Sequence, residues 1–363
     1  GYYNDKKTQY NVFAGDIFLS IANGLKTWGD LRRSRKMSSD MDYRMEDLNE
    51  MIGEAEDAFF KIQNFKENQT LEQAFIPPTS IDIYTMKDLG NVSKKDNELR
   101  LVITDYAFAN TTSREANDNT IIMLMSLHWK GNRFERHVDY IEGHPASDSL
   151  GAADRARELF WDYQADYYVP DLRSGGEVLY NRMTMQWEHP ERGNMWNSCG
   201  FTVVNDKDLH VVPSNKIDDL VGRTVDKNAL PCIIPVVGTS ELNAIMWVEL
   251  KKQLESNNIK FLIPTQNRQE VLEDNGRFFE LSSEDLAQEL APYGQVDLMI
   301  QEAVNLSAEF KDGRVKLKEP RMGTKDRAVC LSYGNYIASK LENKYNQSMQ
   351  EDDLDIDDIQ LVF

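Results

Sequence analysis

The sequence predicts an α/β fold: a mixed five-stranded sheet flanked by helices, with a helical extension at its N-terminal side. Three observations predict it. Apolar runs of strand length recur between residues 99 and 170. A helical pattern opening at Ser147 separates the third run from the fourth, as a crossover to a parallel strand requires. Beyond residue 230, short apolar runs alternate with longer, capped helical patterns, the signature of layered α/β architecture.

The elements follow in order. Residues 1–95 read as a helical extension or linker, with one helix over Asp16 to Trp28. A second carries Met41, Met45, Leu48, Ile52, Ala55, Phe59 and Ile62 at three- and four-residue steps. Pro77-Pro78 stops helical structure, and the polar stretch Asn91 to Glu98 sets the boundary near residue 95. Strands are expected over Leu99 to Asp105, Thr120 to Trp129 and Arg133 to Glu142, the last two joined at Lys130-Gly131-Asn132. The helix from Ser147 leads to a strand over Asp166 to Pro170, and Cys232 to Val237 supplies the fifth. Met183 to Asn228 shows little periodicity and reads as an excursion. Thr239 or Ser240 caps a helix to about Glu255, with Ile259 to Pro264 extended after it. Ser282-Ser283 caps another helix reaching Val304. A hairpin turns at Asp312-Gly313, and the last helix runs from Thr324 to about Tyr345. The main domain therefore covers 96–346, and 347–363 is an acidic tail expected to be mobile.

Composition narrows the function. At 41% apolar and 28% charged residues the chain can bury a core, and no run approaches the ~18 apolar residues of a membrane span, so no membrane is expected as partner. No basic-then-apolar signal pattern opens the sequence. Three cysteines without a CxxC pair argue against a disulfide framework or a structural zinc and fit a reducing cytoplasm, with Cys330 read as a packed thiol. The five histidines lack metal-ligand spacing and read as packing or surface residues. The formal charge of −19 opposes non-specific DNA affinity, yet it is uneven. Six acids crowd the last thirteen residues, whereas Arg314, Lys316, Lys318, Arg321, Lys325 and Arg327 cluster together.

Three carboxylates carry the chemistry. Asp105 ends the run Leu101-Val102-Ile103-Thr104, Asp171 ends Tyr167-Tyr168-Val169-Pro170, and Asp326 opens the final helix. An acid just past an apolar strand leaves the sheet at its carboxyl edge, where open α/β sheets place their sites. Two divalent ions about 4 Å apart need several shared carboxylates, and such pairs drive displacement at phosphorus. Gly175-Gly176 after Asp171 would let the backbone approach a phosphate closely. Asp118 reads as a turn residue, and Glu142 and Asp154 as spare acids.

This order resembles the nuclease domain of large terminase subunits of tailed phages, a member of the RNase H-like superfamily. The likeness spans roughly residues 97–345 and includes Ile234-Pro235-Val236-Val237-Gly238-Thr239-Ser240 and the late Asp-Gly hairpin. The resemblance implies a metal-dependent endonuclease that cleaves double-stranded DNA during viral genome packaging. It implies two Mg2+ or Mn2+ ions held by Asp105, Asp171 and Asp326, and phosphates held by Arg173, Arg314, Lys316, Lys325 and Arg327. Portal protein and small terminase subunit would be partners and the host cytoplasm the location. Many relatives carry a second acid beside the last aspartate, where this chain has Lys325 and Arg327. No G-x-x-x-x-G-K-[ST] occurs, so residues 1–95 would be the trailing end of a packaging motor. The alternatives are another RNase H-like nuclease, such as a junction resolvase, and a non-catalytic DNA- or portal-docking module with a degenerate nuclease fold.

Overall fold

The computed structural model describes residues 2–5, 10–13, 26–30, 32, 58–107, 119–173, 176–193, 198–311, 313–319 and 324–358. The chain divides into two compact units, 1–55 and 56–363. In the first, β1 (Tyr2–Asp5) and β2 (Tyr10–Phe13) pair antiparallel.

The second unit holds an eight-stranded sheet among the described residues. Its strands are β3 (Gln69–Leu71), β4 (Glu98–Asp105), β5 (Asn119–Trp129), β6 (Phe134–Pro145), β7 (Tyr167–Pro170), β8 (Phe201–Val203), β9 (Leu230–Ile233) and β10 (Ile259–Leu262). The spatial order is β3-β10-β6-β5-β4-β7-β9-β8. The pairs β4–β5 and β5–β6 are antiparallel and the remaining pairs parallel. The five expected strands are the centre of this sheet, β6-β5-β4-β7-β9. Three short strands extend it: β8 beyond β9, and β10 then β3 beyond β6. Of these, β10 lies within the segment expected to be extended over Ile259 to Pro264, whereas β3 and β8 run three residues each, too few for a period-2 pattern to register. The excursion from Met183 to Asn228 thus includes an edge strand.

Nine helices are described: α1 (Ile62–Lys66), α2 (Ser80–Tyr84), α3 (Ser149–Asp162), α4 (Gly176–Met183), α5 (Ser214–Gly222), α6 (Ser240–Glu255), α7 (Thr265–Asp274), α8 (Ser283–Val304) and α9 (Asp326–Asp358). The expected caps are in place: Thr239 accepts the Leu242 N–H ahead of α6, and Ser282 accepts the Asp285 N–H ahead of α8. Strands β11 (Ser307–Lys311) and β12 (Arg314–Lys318) form the expected hairpin, with Gly313 at φ 73° in its tight turn.

Strand parity assigns the two faces. Leu101 and Ile103 of β4, Ile121 and Met123 of β5 and Val169 of β7 pack with Ala328, Val329, Leu331 and Tyr333 of α9 and with residues of α6 and α8. Val102, Ile122, Leu124 and Tyr168 pack on the opposite face against Ala153, Leu159 and Phe160 of α3. Burial on both faces explains why β5 reads as an almost unbroken apolar run. Helix α9 lies close on the sheet because Gly334 has no side chain: a Cβ there would meet Met125 Cε at 3.0 Å and Ile103 Cδ1 at 3.1 Å.

Two boundaries differ from expectation. Residues 58–95, read as part of the extension, belong to the sheet unit. Phe60 is buried against Phe59, Phe65 and Trp247, and β3 pairs with β10. A helical stripe gives no sign of what it packs on, so sequence placed the border too late. Helix α9 continues to Asp358 through the stretch read as a mobile tail; neither glycine nor proline interrupts residues 335–358, and Glu, Gln and Leu are good helix formers. The stripe from Met41 to Ala55 and most of the helix expected over Asp16 to Trp28 lie outside the described residues, as do Asp118, Ser174 and Gly175.

Candidate functional site

Asp105 is the last residue of β4 and pairs with Ile121 across the ladder. Asp171 follows β7 directly and bridges in parallel to Val236. In β4 the odd residues face α9, and in β7 Val169 does so; two steps on from Ile103 and Val169, both aspartates take that same face. Asp326 is the first residue of α9, and its carboxylate accepts the backbone N–H of Asn119 at 3.1 Å. Asn119 opens β5, two residues before Ile121, so Asp326 is tied to the strand that runs beside Asp105.

Cys330, one turn into α9, marks the common ground. Its Sγ lies 3.6 Å from the Ile121 carbonyl and 3.9 Å from that of Ile103. Burial pushes the thiol well above its ordinary pKa, and the negative charges of Asp105, Asp326 and Asp171 add to the effect. All three acids thus act electrostatically on this one buried side chain. A thiol reagent at pH 8 is expected to modify half-exposed Cys199 and to leave Cys330 intact until the protein unfolds. Peptide mapping checks this, and prompt native-state labelling of Cys330 would contradict the packing.

Asp171 is the most constrained of the three. It is buried, and Oδ1 accepts the Arg173 backbone N–H at 2.9 Å. Oδ2 accepts Arg173 Nε at 2.8 Å and the Tyr333 hydroxyl at 2.9 Å. The guanidinium is held in turn by the Gly238 carbonyl at 3.1 Å and Tyr333 Oη at 2.8 Å. Burial opposes the charge on Arg173, yet the Asp171 hydrogen bond, with Tyr333 and Asp105 nearby, raises its pKa above the ordinary arginine value. Gly176 closes the turn: its N–H donates to the Arg173 carbonyl, and a Cβ there would meet the Asp171 carbonyl oxygen at 2.4 Å. The glycine pair read as a phosphate approach thus has, at Gly176, a role in bending the chain behind Asp171.

The basic residues divide. Arg327 is buried, with Nη1 on Glu302 at 2.6 Å and Nε on Gln295 at 2.8 Å, and Arg173 faces Asp171; both were expected to hold phosphate and have internal carboxylate partners instead. Arg314 and Lys316 are exposed on β12, where Val315 and Leu317 turn inward. Lys325 pairs with Glu319 at 2.5 Å and Arg314 with Glu241 at 3.4 Å. The spare acids are structural: Glu142 binds Arg155 and His144, and Asp154 binds Arg182.

Sequence reasoning missed Glu302 and the role of Tyr333. From α8, Glu302 accepts the N–H of Arg327 at 2.9 Å and the Thr324 hydroxyl at 2.7 Å, fixing the start of α9. No local signal could have linked Glu302 to a helix that begins after the intervening hairpin. Tyr333 lies within the expected last helix, and its hydroxyl reaching a strand-end acid is visible only in three dimensions.

The candidate donors Asp105, Asp171 and Asp326 are carboxylates, a hard-oxygen chemistry that suits Mg2+ or Mn2+. Among the described residues no group of three or more His, Cys, Asp or Glu side chains is gathered into a ready cation cage. The chain is thus a mixed α/β protein whose three candidate acids stand at two strand ends and a helix start. No protein-family model matches the sequence, and comparison with curated proteins finds no match. Among solved structures the chain is similar to nuclease domains of phage large terminases. The large terminase nuclease of thermophilic phage G20c with bound magnesium aligns over 67% of this chain and 82% of its own, at 10% identity and a TM-score of 0.35. The nuclease domain of the large terminase subunit of bacterial virus Sf6 aligns over 76% of this chain and 98% of its own, at 11% identity and a TM-score of 0.35. A variant of that domain with manganese and β-thujaplicinol gives 12% and 0.37.

Proposed function

We propose that the chain is a divalent-metal-dependent endonuclease acting on double-stranded DNA, and that it serves viral genome packaging as a large terminase subunit does. One observation supports the reading: Asp105 ends β4, Asp171 follows β7, and Asp326 opens the helix packed on that face of the sheet. Asp105, Asp171 and Asp326 would hold the two ions. When bound, the ions would supply Lewis-acid charge at the reacting phosphate. The chain's own groups hold these ligands in place: Tyr333 orients Asp171, the Asn119 N–H orients Asp326, and Glu302 anchors the helix that carries it.

Lys316, Arg314 and Lys325 would contact phosphates, which gives affinity without sequence readout. The segment ahead of the sheet unit would be the trailing end of a packaging motor. Portal protein and small terminase subunit would be its partners in the host cytoplasm.

Digestion of supercoiled plasmid tests the reading. Nicking and linearisation are expected with Mg2+ or Mn2+ and none with chelator. A strong preference for four-way junctions would favour a resolvase, and no cleavage together with intact DNA binding would favour a docking module.

A further inference from the structure

We propose that Arg173 is a built-in counter-cation for Asp171, a latch that a divalent ion must displace before the acidic site can fill. This inference rests on the nuclease reading above and concerns the regulation of the same site. The contact is more than a surface ion pair. Arg173 meets both oxygens of Asp171, one through its backbone N–H and the other through Nε, so the acid is bound by a loop that folds back on it. A carboxylate whose lone pairs point at a guanidinium has correspondingly fewer to offer a cation.

The seat of the guanidinium is shaped to hold it. Its Nη1 donates to the Gly238 carbonyl and its Nη2 to Tyr333 Oη, which itself donates to Asp171. At Gly238 a Cβ would stand 3.0 Å from Arg173 Cζ and 2.7 Å from Tyr333 Oη, so the seat exists only because that residue has no side chain. Asp171, Arg173 and Tyr333 close one hydrogen-bonded ring, and the Gly238 carbonyl, from another part of the chain, holds the guanidinium from outside it. Arg173 remains partly exposed while Asp171 is buried, so the arginine has an outward path and the acid does not. Released from Asp171, the same guanidinium becomes a cation beside the site, where a phosphate can take it. Metal entry and phosphate engagement are thereby coupled through one side chain.

The test measures Mn2+ binding by calorimetry on the full chain, with no cleavage readout. Four forms are compared: wild type, Arg173→Gln, Gly238→Ala and Asp105→Asn. Thermal unfolding in chelator confirms that each is folded. Arg173→Gln is expected to bind Mn2+ about tenfold or more tightly than wild type, the factor implied by losing one charge-assisted hydrogen bond to the ligand. Gly238→Ala keeps the arginine and pushes it from its seat, so it is expected to tighten binding in the same direction; if the glutamine variant fails to fold, it carries the test alone. Equal or weaker Mn2+ affinity in the arginine and glycine variants, with binding still lost in Asp105→Asn, overturns the latch and leaves the three-acid site standing. Absence of Mn2+ binding in every form overturns the latch and the nuclease reading together.

Discussion

Asp105→Asn is expected to reduce Mn2+-dependent plasmid nicking by about 10²–10³-fold or more, the scale of losing one preorganised charge-stabilising group. The substitution keeps the size and the hydrogen-bonding shape of the side chain and removes its charge. The β4–β5 ladder is made by backbone groups, so the strand end remains where it is. If Asp105 served only to end a strand, asparagine would serve as well, since both residues suit such positions. The measurement is the rate of supercoiled plasmid loss at fixed Mn2+, paired with a thermal unfolding curve. Near-normal nicking by a folded variant would sink the three-acid site.

Phe60→Ala is expected to destabilise the sheet unit by about 3–5 kcal/mol, the range for removing a large aromatic side chain from a core. Phe60 is almost fully buried, with ring centroids 5.0 Å from Phe59, 6.3 Å from Phe65 and 6.2 Å from Trp247 of α6. No small shift can fill the space because its neighbours are themselves fixed aromatics. An appendage loosely tied to the sheet would give a different result: the segment would loosen and the main transition would stay. Urea unfolding followed by far-UV circular dichroism separates the two, and an unchanged midpoint would return residues 58–95 to the extension.

Local signals made the centre of the sheet legible. Leu99 to Asp105 and Thr120 to Trp129 are long enough for their apolar content to declare a strand, and Thr239 and Ser282 declare helix starts through side chains that can accept an N–H. What stayed hidden depends on partners far away in the chain. Gln69–Leu71 becomes a strand because β10 offers it an edge, almost two hundred residues later. The three aspartates were legible by position, as residues just past or just at the start of an element. Their surroundings were not: Arg173 two residues from Asp171 looks like a cation free for DNA, and only the fold shows that Gly238 and Tyr333 turn it inward. Arg327 repeats the lesson, since Glu302 takes it from a helix that no local pattern connects to it.

Because Asp105 and Asp171 reach α9 by falling on the same count of alternating positions as Ile103 and Val169, the site is written in spacing more than in neighbours. The hydrophobic residues of β4 can be exchanged for others of similar size with little consequence for where the acid points. One residue inserted between Ile103 and Asp105 would instead turn the carboxylate toward the α3 face while leaving the composition almost untouched. The fold therefore tolerates change of letters along these strands and forbids change of count.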